Sequence, residues 1–310
     1  MFEKRNRLDL ASEIKESFKQ GSSLTKLIYI NLGVFLVVNI FNIFLLLFPI
    51  NFSLVELLAV PASVEALIFK PWTIITYMFL HEGFIHILFN MLVLFWFGKL
   101  FLEYLNQKQL LSVYFLGGIS GAIMFILFYN IFPSFAVYRY ISIALGASAS
   151  VMAVVFAISF YIPNRELHLM FIGPVKIKYI AYAYLFLDVI SIAGQGGAVG
   201  SNAGGHIAHL GGALFGYFYI SQYRKGRNIA KGFDKFADSV FSMFNRRTRK
   251  PKMNVKYGTS SSYSHAKDMD YNASKIASQE EINIILDKIS KSGYDSLTSK
   301  EKEKLFKASR

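Results

Sequence analysis

Six long apolar runs, separated by short connections that contain charges, prolines or glycines, dominate residues 27–223. A helix needs about 20 apolar residues to cross the ~30 Å hydrocarbon layer of a bilayer, and the last two runs are short or weakly apolar. The runs are Leu27–Phe48, Ile74–Phe97, Leu110–Ile131, Ile141–Tyr161, Ile177–Ile192 and Ile207–Tyr223. We therefore predict an all-α membrane protein of about six transmembrane helices.

The distribution of Lys and Arg predicts the orientation of these helices. Basic residues concentrate in the N-terminal arm, in the second and fourth connections and in the tail after Tyr223. The alternate connections hold little beyond Lys70 and Arg139. Because cytoplasmic loops carry the excess of positive charge, both termini are predicted to be cytoplasmic. The first apolar run is too long for a cleaved signal peptide, so we expect it to stay in the protein.

Composition supports a membrane location and excludes several kinds of chemistry. The chain is 54% hydrophobic and 17% charged, with a mean hydropathy of +0.38, which is more apolar than a soluble domain of this length. Its net charge of +13 lies mostly beside the apolar runs, which favours anionic lipid headgroups over nucleic acid as the partner. The absence of cysteine excludes disulfides, a thiol nucleophile and Cys-ligated metals.

The chain divides by composition into five predicted segments. They are an N-terminal cytoplasmic arm (residues 1–26), a six-helix membrane domain (27–223), a basic amphipathic juxtamembrane segment (224–247), a linker (248–277) and a small helical module (278–310). Apolar residues recur at helical spacing in the juxtamembrane segment, at Ile229, Phe233, Phe236, Val240 and Phe244. This spacing indicates either a helix on the inner leaflet or a simple positively charged stop after the last span.

The C-terminal module contains two capping-box patterns, Ser278–Glu281 and Thr298–Glu301, and each predicts the start of a short helix. Gly293 is the predicted stop between the two helices. About 30 residues are too few for a secure hydrophobic core, so we expect the module to dock on an unknown partner or to be marginally stable.

Three clusters of polar residues lie inside the apolar runs, where such groups are costly and usually functional. The second run contains His81, His86 and Asn90, the fourth contains Gly146, Ser148 and Ser150, and the last contains His209, Gly212 and Gly216, with His206 directly before it. Each cluster has a structural alternative, because histidine and asparagine also form hydrogen bonds between helices and small residues also form packing seams.

The spacing within the clusters permits catalysis. His86 and Asn90 lie one helical turn apart and share a face, which suits two donors to one oxyanion or two interhelical hydrogen bonds. His209 shares a face with Gly212 and Gly216, and the glycines let another backbone approach closely. Approach of the fourth run would bring His209 to Ser148, as a serine nucleophile and its base require.

Taken together, these motifs resemble the rhomboid family of intramembrane serine proteases. The matching features are His-x4-His-x3-Asn in the second run, Gly-x-Ser at the head of the fourth and Ala-His-x2-Gly-x3-Gly in the last, within about Pro71–Tyr223. The resemblance implies a rhomboid-like six-helix bundle in a membrane, expected to be a bacterial inner membrane. It implies an endopeptidase that cleaves transmembrane segments of other membrane proteins.

The resemblance also implies roles for individual residues. Ser148 is the expected nucleophile and His209 the general base of a dyad without a carboxylate. His86 and Asn90, with the backbone N–H of Ser148, are the expected oxyanion donors. His81 and His206 are expected at the rim of the cavity, and three glycines are expected to support the site, namely Gly146, Gly212 and Gly216. The resemblance implies neither a cofactor nor a metal.

Two positions depart from the family pattern. Ala149 stands where the family often has glycine, and Met152 stands where an aromatic residue commonly packs against the catalytic imidazole.

Two further features carry other interpretations. His81 and His86 are five residues apart, whereas the two histidines of a zinc-protease helix are four apart. The spacing therefore argues against a zinc site of that type. Asp188 inside the fifth run is interpreted as a hydrogen-bonded structural group or a proton relay.

Two other functions remain open at this point. One is a catalytically silent relative that binds transmembrane helices, and the other is a channel or transporter lined by histidines.

Overall fold

The computed structural model describes residues 10–48, 52–169, 172–195, 202–235 and 282–308. The chain forms two compact units, Met1–Asn245 and Arg246–Arg310. The first unit contains the following helices: α1 (Leu10–Gln20), α2 (Ser23–Leu47), α3 (Leu54–Leu58), α4 (Val64–Phe69), α5 (Thr73–Thr76), α6 (Phe84–Tyr104), α7 (Gln107–Ile131), α8 (Pro133–Ala136), α9 (Ser148–Tyr161), α10 (Ile177–Gln195), α11 (Ala203–Arg224) and α12 (231–235).

Two short antiparallel pairs of strands complete this unit. Strand β1 (Val60–Pro61) pairs with β2 (Ile143–Ala144), and β3 (Glu166–Leu169) pairs with β4 (Gly173–Lys176). The first pair joins the connection after α2 to the segment before α9, so two distant loops meet at one end of the bundle. The second pair is a hairpin between α9 and α10.

Each predicted span contains a helix of 14 to 25 residues, and the prediction of an all-α membrane protein is confirmed. Within the described residues, α2, α6 and α7 are long and apolar enough to cross a membrane. The helix α9 is apolar but has 14 residues, which extend about 21 Å. Outward-facing apolar side chains such as Leu46, which is 86% exposed, suit contact with lipid rather than water.

Two predicted spans begin later than the apolar pattern indicated. The second was predicted from Ile74, but α6 begins at Phe84, after α5, a 3-10 turn at Tyr77–Phe79 and a loop. The fourth was predicted from Ile141, but α9 begins at Ser148. The residues before it instead form β2 and a turn at Gly146, whose φ of +128° is incompatible with a helix.

The helix α9 lies at the centre of the bundle, and every side chain from Ala149 to Ser159 is buried. Glycines on both neighbouring helices allow this arrangement. A Cβ atom on Gly212 of α11 would overlap the carbonyl group of Ala149, and one on Gly216 would overlap that of Ala153. The structure therefore confirms that these glycines let the last span approach the fourth at backbone distance.

The segment after α11 folds back onto the bundle in its described part. The Ser112 hydroxyl of α7 donates to Asp234 Oδ1 over 2.5 Å, and the rings of Phe115 and Phe233 lie 5.9 Å apart. Ala230 is fully buried. Phe233 of the predicted juxtamembrane segment therefore packs on protein in this structure. Phe236, Val240 and Phe244 lie outside the described residues.

The second unit contains α13 (282–292), a 3-10 turn at Tyr294–Ser296 and α14 (Ser299–Ala308). Gly293, with φ of +76°, ends α13 as predicted. The Thr298 capping box is confirmed, since the backbone N–H of Thr298 donates to Glu301 Oε2 over 2.7 Å and the Thr298 hydroxyl accepts from the Glu301 N–H.

The same carboxylate links the two helices of this unit. Lys288 Nζ lies 2.9 Å from Glu301 Oε1, and the hydrogen bonds from Lys288, followed by those from Thr298, lower the pKa of Glu301 to about 2. Ser278–Glu281 and the predicted linker lie outside the described residues.

The contact between α9 and α11 predicts that Gly216→Ala destabilises the protein. The added methyl would overlap the Ala153 backbone, so we expect the free energy of unfolding to fall by about 1–3 kcal/mol. Thermal unfolding of the purified protein in detergent measures this loss.

The matched control is Gly33→Ala on α2, where a Cβ has open space. It should leave the melting temperature unchanged or slightly higher, because alanine favours helix more than glycine does. Equal melting temperatures for the two variants would contradict the proposed closeness of α9 and α11.

Candidate active site

A cavity of about 350 Å³ lies between α6, α9, α10 and α11. Its volume falls in the range of small-molecule and active-site clefts. Residues from all three sequence clusters line it, and the polar ones are His86, Asn90, Ser148, Tyr184, Asp188, Ser191, Asn202, His206 and His209. The structure thus brings the predicted nucleophile, base and oxyanion donors to one cavity.

Ser148 is the first residue of α9 and is half-buried. The preceding turn is held by a hydrogen bond from the Gly146 N–H to the Tyr77 carbonyl, 2.9 Å long. The first N–H groups of a helix have no partner within the helix and carry partial positive charge. The Ser148 hydroxyl therefore lies beside a site that favours a developing negative charge.

Limited space favours glycine at position 146, in addition to its positive φ. A Cβ atom there would lie 3.2 Å from His86 Cε1 and Nε2 and 3.4 Å from Ser148 Oγ. The His86 ring and the Ser148 hydroxyl therefore flank the same glycine. Gly146 supports the site directly, whereas Gly212 and Gly216 contribute through the packing of α9.

His86 and Asn90 occupy the first two turns of α6 and face the cavity. Asn90 Nδ2 donates one hydrogen bond to the His86 carbonyl over 2.9 Å, which fixes the amide and leaves its second N–H available. His81 was expected at the rim of the cavity, but it is buried in the loop before α6 and does not line it. His81 lies outside the helix because α6 begins only at Phe84. Its ring packs edge-on against the ring of His86, with the two ring centroids 5.1 Å apart.

Asp188 of α10 holds both histidines of α11. Its Oδ1 atom lies 2.7 Å from His206 Nδ1 and 2.9 Å from His209 Nδ1, and its side chain is only 8% exposed. The resemblance implied a dyad without a carboxylate, and the structure places the Asp188 carboxylate in contact with the predicted base. His206, expected at the rim, lines the cavity.

The sequence signal for this contact was weak. Asp188 is a lone carboxylate inside an apolar run, which marked it as noteworthy, but its partners depend on the rotation of α10 against α11. No periodicity in the sequence specifies that rotation.

The three ligand atoms of Asp188, His206 and His209 lie within 4.8 Å of one another, as a metal site would require. Bonds of about 2.0–2.1 Å in a tetrahedral zinc site place the ligand atoms about 3.3 Å apart. The observed 2.7 and 2.9 Å are shorter and match charge-assisted hydrogen bonds. The geometry favours hydrogen bonding over coordination.

The two departures from the family pattern have different surroundings. The Cβ atom of Ala149 faces Gly121 of α7, which has no side chain, so the bundle accommodates alanine at this position. Met152 lines the cavity together with His209.

Comparison with known proteins agrees with these features. A model of the rhomboid domain matches residues 69–225, which is half of the chain. A model of a family of unknown function, DUF6576, matches residues 266–310.

Three relatives show the extent of the similarity. The chain is 34% identical over 142 residues to presenilin-associated rhomboid-like protein A, mitochondrial, of Danio rerio, covering 46% of this chain and 35% of the relative. It is 32% identical over 143 residues to presenilin-associated rhomboid-like protein, mitochondrial, of Homo sapiens, with 46% and 35% coverage. Rhomboid protein 1, mitochondrial, of Saccharomyces cerevisiae is 30% identical over 148 residues, with 47% and 40% coverage.

The chain thus spans little more than a third of the length of these relatives. The matched rhomboid domain contains every polar residue of the cavity and all of α6, α7, α9, α10 and α11. On this match, together with the apolar helices around the cavity, the chain is a membrane protein that belongs to the rhomboid family.

Proposed function

We propose that this protein is an intramembrane serine endopeptidase that cleaves transmembrane segments of other membrane proteins. The observation that carries the proposal is the cavity that holds Ser148 and His209 together with two oxyanion donors. A packing seam or a pair of interhelical hydrogen bonds would not require these four side chains to face one open space. A reaction on a carbonyl group requires this arrangement.

In the proposed reaction, Ser148 Oγ attacks the scissile carbonyl while His209 Nε2 accepts the hydroxyl proton. A C–O bond forms and the carbonyl becomes a tetrahedral oxyanion. When the C–N bond breaks, His209 returns the proton to the leaving amine. Water, activated by the same imidazole, then hydrolyses the acyl-enzyme and restores Ser148.

Three donors would stabilise the oxyanion. The backbone N–H of Ser148 lies at the positive end of α9, and the side chains of His86 and Asn90 reach the cavity from α6. Because Asn90 is held by its bond to the His86 carbonyl, its free N–H needs little reorganisation. A preorganised donor of this kind contributes about 10²–10³ in rate.

The length of α9 supports a reaction below the membrane surface. At about 21 Å, the helix is shorter than the ~30 Å hydrocarbon layer, so its two ends cannot both reach the lipid headgroups. Ser148 at the outer end would lie beneath the headgroups, where an unwinding transmembrane segment can reach it. The cavity would hold the water that hydrolysis consumes.

The lining of the cavity fits the same substrate class. Its apolar surface, which includes Phe89, Val93 and Met152, suits the side chains of a membrane segment. Beyond the substrate and the bilayer, residues 282–308 are proposed to bind a further, unidentified partner.

The central test is cleavage of a model membrane substrate by purified protein in liposomes. We expect Ser148→Ala and His209→Ala to abolish cleavage, because each removes a reacting group. His86→Ala and Asn90→Ala should each lower kcat by about 10²–10³, because one oxyanion donor is lost.

Ser159→Ala is the matched control, since it removes a buried hydroxyl from the other end of α9 and should retain full activity. Normal cleavage by Ser148→Ala would overturn the site assignment. A chain that cleaves nothing, and whose Ser148 does not react with a fluorophosphonate, would instead be a silent binder of transmembrane helices.

The proposal includes a bacterial cytoplasmic membrane, with both termini in the cytoplasm and the cavity open to the outside. The distribution of Lys and Arg supports this orientation. The relatives named above are mitochondrial, and their names do not specify the membrane of this chain.

Because the chain has no cysteine, single cysteines can report the topology. In intact bacterial cells, a membrane-impermeant maleimide should label Tyr140→Cys, which lies between α8 and α9. It should label Lys15→Cys and Lys291→Cys only after permeabilisation. Labelling of Lys15→Cys in intact cells would contradict the orientation.

A further inference from the structure

We propose that Asp188 is a positioning residue that sets the tautomer and the orientation of His209. The inference rests on the proposed protease function and departs from a dyad without a carboxylate. It follows from the two hydrogen bonds that join α10 to α11 beside the cavity.

The tautomer follows from donor and acceptor chemistry. An ionised carboxylate can only accept hydrogen bonds, so a neutral imidazole whose Nδ1 lies 2.9 Å from Asp188 Oδ1 must carry its proton on Nδ1. The Nε2 atom of His209 is then unprotonated and has a free lone pair. This is the form that can accept the proton of Ser148.

The position of Asp188 is itself constrained by His206. The Nδ1 atom of His206 lies 2.7 Å from the same oxygen, so two N–H donors occupy both lone pairs of Oδ1. The carboxyl group therefore cannot turn without losing two charge-assisted hydrogen bonds in a site that is mostly shielded from water. His206 stabilises the carboxylate, and the carboxylate in turn orients His209.

The same contact would act during the reaction. When His209 accepts the proton of Ser148 it becomes a cation, and the Asp188 carboxylate already lies at hydrogen-bond distance from its ring. The interaction between these charges is stronger for a carboxylate that is only 8% exposed than for one in water. The stabilisation arises in the transition state, so its loss should reduce kcat rather than raise KM.

The kinetic test is Asp188→Asn, which keeps the shape of the side chain and removes its charge. We expect kcat in liposomes to fall by about 10²-fold or more, with KM changed less than about threefold. Val189→Thr is the control, because it alters an exposed neighbour on α10 with little change of volume. A normal kcat for Asp188→Asn, or a rise in KM alone, would overturn the inference.

The spectroscopic test uses ¹⁵N-labelled histidine in the Ser148→Ala protein, in which no reaction can occur. His209 should show the Nδ1–H tautomer, and Asp188→Leu should abolish this preference. Detection of the Nε2–H tautomer without any change at Asp188 would overturn the inference, even if Asp188 variants fold poorly.

The two tests separate this inference from the proposed function. The tautomer can be measured in a protein that cleaves nothing. Full activity of Asp188→Asn would leave the protease proposal intact and remove only the role of Asp188.

Discussion

The close packing of α9 between α7 and α11 is the constraint on which the rest of the structure depends. Gly212 and Gly216 of α11 lie against the carbonyl groups of Ala149 and Ala153, where no side chain would fit. Helices in lipid gain little from the hydrophobic effect, so close van der Waals contact between backbones has to supply the association. The same contact brings a serine and a histidine, 61 residues apart in sequence, to one cavity.

The cavity exists because other segments stop short of regular helix. The turn at Gly146 exposes the N-terminus of α9, and the loop before Phe84 delays the start of α6. Exposed backbone of this kind is tolerated at membrane depth only where protein covers it or water solvates it. Here β1 and β2 pair with each other, and the Gly146 N–H binds the Tyr77 carbonyl. The result is an open cavity inside an apolar bundle, with polar side chains on part of its wall.

Much of this arrangement could be predicted from local patterns. Apolar runs indicated the helices α2, α6, α7, α9, α10 and α11, and the spacing of His86 with Asn90 and of His209 with Gly212 placed each pair on one helical face. The starts of α6 and α9 could not be predicted, because hydrophobicity is as high in a buried turn or strand as in a helix. The contact of Asp188 with His209 could not be predicted either, since it depends on how two helices are rotated against each other.

We propose that Ser148, His209 and the oxyanion donors act together on one carbonyl group at the head of α9. A crystal structure of the protein after reaction with a fluorophosphonate measures this most directly. We predict a bond from phosphorus to Ser148 Oγ, His209 Nε2 within hydrogen-bond distance of that oxygen, and the phosphonyl oxygen bound by His86, Asn90 and the Ser148 N–H. An adduct on another residue, or His209 turned away from Ser148, would contradict the claim.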